Sequence, residues 1–89
     1  MKPAKLYKYL TDLQNNQAMR KNYGDICELA EKIIKDGLNN EGVSGVPDFD
    51  EFDNIIIPLR ELKQLMSQHK LEQEKEKLEY YIRLSGYLV

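Results

Sequence analysis

Apolar residues along this chain recur at steps of three and four in separate stretches, the spacing of helices that bury one face. The densest stretch is Asp48–Met66, DFDEFDNIIIPLRELKQLM, where Phe52, Ile55, Ile56, Leu59, Leu62 and Met66 form one stripe. Phe49, Ile57 and Leu65 widen that stripe on both flanks, so this helix needs cover from more than one side. Pro58 removes one backbone hydrogen bond and crowds the carbonyl of Asn54, which predicts a kink. Three consecutive isoleucines also suit a short strand over Asn54–Pro58. With no second strand to pair with it, the kinked helix is preferred.

The remaining elements follow from the same pattern. Pro3 suits a first helical position, and Leu6, Leu10 and Leu13 make a stripe, predicting a helix over 3–14. Asn15 and Asn16 weaken its end because both side chains compete for backbone groups, and the pattern places the turn either there or after Arg20. Asn22 and Asp25 then mark the start of a second helix, and Ile26, Leu29, Ala30, Ile33 and Ile34 its buried face. Gly37 is its natural stop. Residues 37–47, GLNNEGVSGVP, carry three glycines, two asparagines and a proline, a composition that argues for an interhelical connection. Asp48 is the expected cap of the third helix, with Glu51 at capping-box spacing.

Beyond Met66 the stripe changes phase. The next aliphatic residue, Leu71, lies five positions on, and on one continuous helix that step turns the apolar face by about 140°. A turn near Ser67–Lys70 restores both stripes to one core; the alternative is a single helix of nearly forty residues, long for a small domain. The preferred reading gives a fourth helix over 71–85, with Leu71, Leu78, Tyr81, Ile82 and Ser85 on its stripe and Gly86 as its stop. The apolar tail Tyr87-Leu88-Val89 is expected to fold back. The fold expected is therefore all-α: one domain over residues 1–89, an antiparallel four-helix bundle with a Pro-kinked third helix.

Charge and composition narrow the function classes. The 89 residues carry a net charge of −2, which disfavours a nucleic-acid partner. The charge is uneven, however: Lys2, Lys5, Lys8, Arg20 and Lys21 face only Asp12 within residues 1–24, giving +4 there and −6 in the rest. Such a basic quarter suits an anionic membrane surface or a solvated face, the latter being commoner. Cys27 is the only cysteine, which rules out an intrachain disulfide and fits a reducing compartment. Met1-Lys-Pro-Ala opens no signal peptide and no apolar run is long enough to span a bilayer, so a cytoplasmic protein is expected. A chain of this size buries roughly 60–65% of its unfolded surface, which leaves little room for a deep substrate pocket.

No constellation of catalytic residues stands out. Asp48, Asp50, Glu51 and Asp53 fail the calcium-loop pattern, since Phe52 and Asp53 occupy its fifth and sixth positions; they read as complements to a helix N-terminus. His69, the only histidine, has no nearby His/Cys set and reads as a solvated turn residue. Cys27 borders the second helix's stripe and reads as a buried, unreactive thiol. A helix-turn-helix is disfavoured by the eleven-residue connection and the acids opening the next helix. No nucleophile–base pair, phosphate-cradling glycine loop, metal set or cofactor motif is present, so no enzyme activity is expected. Tyr80, Tyr81 and Tyr87 cluster late in the chain. Tyr81 belongs to the stripe, while Tyr80 and Tyr87 are either exposed contacts or parts of a packed tail, with packing favoured.

The layout of KLYKYLTDL, NYGDICELAEKIIKDGL, a loop into a Pro-containing helix, and LMSQHKLEQEKEKLEYYIRLSG resembles the immunity proteins of class IIa (pediocin-like) bacteriocins, the enterocin A immunity family. The likeness lies in layout and periodicity over most of the chain. It departs from the family's longer members in ending at Val89, soon after the fourth helix. The resemblance implies a small cytosolic four-helix bundle that protects its producer. It would act at the inner face of the membrane on the complex of bacteriocin with its receptor, the mannose phosphotransferase permease, and block pore formation. It also implies that specificity resides in the C-terminal half. Within that half Tyr80, Arg83, Tyr87 and Leu88 are the expected contacts, because they lie at the chain's end and are expected to face solvent. The competing expectation is a small helical regulator or inhibitor, phage-borne or cellular, that binds a soluble intracellular protein. The wide stripe of the third helix also leaves room for a homodimer.

Overall fold

The computed structural model describes residues 4–40 and 50–89, without the side chain of Asn40. Among these residues the fold is all helical. Helix α1 spans Ala4–Asn15, α2 Gln17–Asn22, α3 Gly24–Asp36, α4 Ile57–Gln68 and α5 Glu72–Leu84; a π turn at Phe52–Ile56 leads into α4. The four long helices form a bundle in which α1 packs on α3, α3 on α4, α4 on α5, and α5 back on α1. The core they share holds Leu6, Leu10, Ile26, Ile33, Leu59, Leu62, Met66 and Leu78, all fully buried.

Helix α2 adds a short fifth helix to the expected four. Helix α1 ends at Asn15, and the Asn16 side chain then caps α2 by accepting the Met19 N–H at 3.0 Å. This extra turn alters the start of α3. Asn22 is the last residue of α2 and not the expected cap; Tyr23 holds the cap position, without a side-chain bond. Asp25 still serves the first turn, its carboxylate accepting the Ile26 N–H at 2.8 Å. After Gly37, Leu38–Asn40 form one turn of 3₁₀ helix where no helix was expected. Leu38 is fully buried, so the chain stays against the core beyond Gly37. The rest of the connection and the cap expected at Asp48 lie outside the described residues. Asp50 acts as a cap among them, accepting from the N–H groups of Phe52 and Asp53 at 3.0 and 3.3 Å.

The deformation expected at Pro58 takes the form of a π turn just ahead of it. Pro58 has no N–H for the carbonyl of Asn54, and the Ile57 N–H instead reaches five residues back to Phe52. The extra residue in that turn rotates what precedes it by about 100° relative to the α4 stripe. Phe52 therefore leaves the core it was expected to join: it is 52% exposed, with the Arg60 guanidinium 5.6 Å from its ring centre. The Asn54 carbonyl and the Ile55 side chain lie so close to Gly37 that a Cβ there would sit 2.5 Å from the oxygen and 2.7 Å from Ile55 Cγ1.

The expected break after Met66 is present, and its geometry explains how two helices of different phase share one core. The Leu71 N–H donates to the Met66 carbonyl at 2.8 Å and the Lys70 N–H to Ser67 at 3.0 Å, while Lys70 takes φ 61°. This is a Schellman termination with a left-handed residue at the first position past the cap. Across it the His69 imidazole meets the Asp25 carboxylate at 3.0 Å and packs edge-on against Tyr23 at 5.0 Å. The hydrogen bond from His69 holds the Asp25 carboxyl below its ordinary pKa. His69 is thus exposed as expected, but it also ties the α4–α5 turn to the start of α3. Helix α5 ends in the same way: Gly86 has φ 82°, and the N–H groups of Tyr87 and Gly86 donate to Ile82 and Arg83 at 3.3 and 3.0 Å.

Two substitutions test this account by urea denaturation. Gly37→Ala should lower stability by roughly 1–3 kcal/mol, because its Cβ meets backbone that cannot swing away. Lys70→Gly should raise stability by roughly 0.5–1 kcal/mol, since it relieves the left-handed conformation that only glycine adopts freely.

Candidate partner-binding surface

The last two turns of α5 carry most of the aromatic and cationic side chains that the sequence marks as contacts. Helix α5 is held against α1 by tyrosines. Tyr9 and Tyr81 stack with ring centres 5.0 Å apart and planes 21° from parallel, and Tyr80 meets Tyr81 edge-on at 5.3 Å. The Tyr9 hydroxyl donates to the Glu74 carboxylate and lies 3.3 Å from the Glu74 carbonyl. Burial, reinforced by that bond and the Glu74 charge, pushes the Tyr9 phenol far above its ordinary pKa. Tyr9 therefore remains a proton donor, and the stack beneath Tyr80 is fixed.

The four expected contacts do not share one face. Tyr80, 52% exposed, borders a groove of about 340 Å³ between α1 and α5, with Lys5, Lys8, Asp12 and Leu84 around it. Arg83 and Leu88 border a smaller groove of about 220 Å³ on the other flank of α5, with Lys63, Glu79 and Val89. Lys63 and Glu79 form an ion pair there at 3.4 Å. Leu88 is 90% exposed.

Tyr87 requires a correction. Only 8% of its surface is exposed, so it is a core residue and not a solvent-facing contact. The turn at Gly86 is the cause. In a Schellman termination the second residue past the cap packs back on the third residue before it, and those residues here are Tyr87 and Ile82. The tail thus folds back through Tyr87 and partly through Val89, while Leu88 projects outward. Leu84, by contrast, is 47% exposed and was not singled out beforehand. Its signal was present in the sequence as an aliphatic residue lying off the α5 stripe.

Cys27 is buried on the far side of the core, its thiol 3.6 Å from the Leu13 carbonyl, and burial raises its pKa. The Asp50–Asp53 pair lies on the surface, where a side-chain hydrogen bond with Asp50 and the repulsion of its charge raise the pKa of Asp53. Among the described residues no group of three His, Cys, Asp or Glu side chains could hold a metal ion, and no helix is long and apolar enough to cross a membrane. Comparison with protein families, with curated proteins and with solved structures finds no match to this chain.

The two tail residues should separate cleanly in a stability measurement. Tyr87→Ala should cost about 3 kcal/mol or more by thermal or urea unfolding, the loss expected of a buried aromatic. Leu88→Ser should stay within about 0.5 kcal/mol of the parent, as for an exposed side chain without partners to lose.

Proposed function

We propose that this protein acts by binding and that it is a bacteriocin immunity protein of the class IIa kind, protecting its producer from within the cytoplasm. On this reading it recognises the bacteriocin bound to the mannose phosphotransferase permease at the inner face of the membrane and prevents the pore from opening. The observation that carries the reading is the helical layout on which the resemblance rests, realised as a bundle whose C-terminal end exposes Tyr80, Arg83 and Leu88. A small core with shallow surface grooves supports recognition over catalysis. With Tyr87 in the core, the contact set reduces to Tyr80, Arg83 and Leu88.

Expression of the protein inside a bacteriocin-sensitive strain tests this directly. A panel of pediocin-like bacteriocins should show a large rise in lethal dose for one or two peptides, with no change for an unrelated pore-former. Leu88→Ser should reduce that protection while leaving the unfolding midpoint in place. No shift across the panel, with soluble expression confirmed, overturns the reading and favours a regulator of a soluble protein.

A further inference from the structure

We draw no further inference here: the strongest candidate, the surface patch of exposed Tyr80, Leu84 and Leu88 at the C-terminal end of the bundle, lies at an end that acidic and basic side chains share, and nothing in the structure shows what covers it.

Discussion

The bundle depends on the reversal at Lys70. Before it, the stripe of α4 ends at Met66; after it, α5 presents Leu78 and Ile82 to the same core. On a continuous helix those two stripes would face away from each other, and no single core could bury both. The left-handed residue and the paired backbone bonds to Met66 and Ser67 terminate α4 with its carbonyls satisfied and send the chain back antiparallel. Leu71 then returns toward Met66, and the His69–Asp25 contact fixes the turn to α3. A helix that needs cover from several sides thereby obtains it from its own chain: α3 on one side, α5 on the other.

What the sequence reveals and what it conceals divide along physical lines. The long helices, their buried faces and the break near Ser67–Lys70 follow from periodicity, because burial of a stripe tolerates little freedom in phase. The strand alternative at Asn54–Pro58 gives way to helix for the reason that sequence supplies: among the described residues there is no strand to pair with it. Helix α2 is harder to see: in six residues it buries none, so no stripe announces it. Its cost to the sequence reading is local, a cap assigned to Asn22 when that residue closes the preceding helix. The π turn is concealed for another reason. Pro58 signals that the helix must deform but not how, and the choice of an inserted residue over a simple bend decides that Phe52 points outward.

The surface at the C-terminal end is legible only in part. Charge and exposure of Arg83 and Leu88 follow from their positions, whereas the inward turn of Tyr87 requires recognising that Gly86 forms a Schellman termination with an apolar residue behind it. That rule places Tyr87 over Ile82 and leaves Leu88 as the outward residue of the tail. The division of the expected contacts between two flanks of α5 depends on how α1 and α4 pack on either side, which is tertiary information. Cationic residues far apart in sequence, such as Lys5 and Arg83, come to one end of the molecule for the same reason.

The chain has six tyrosines and no tryptophan, and three of those rings form one contiguous array across the α1–α5 contact. Stacked and edge-on phenols couple their electronic transitions, so this array imprints a chiral near-ultraviolet signal of its own. Nothing from an indole overlies it. The protein thus carries a built-in optical reporter for the seam between its first and last helices, separate from the backbone signal that counts helix as a whole. Opening of that seam would be visible as a spectral event even while every helix stays wound.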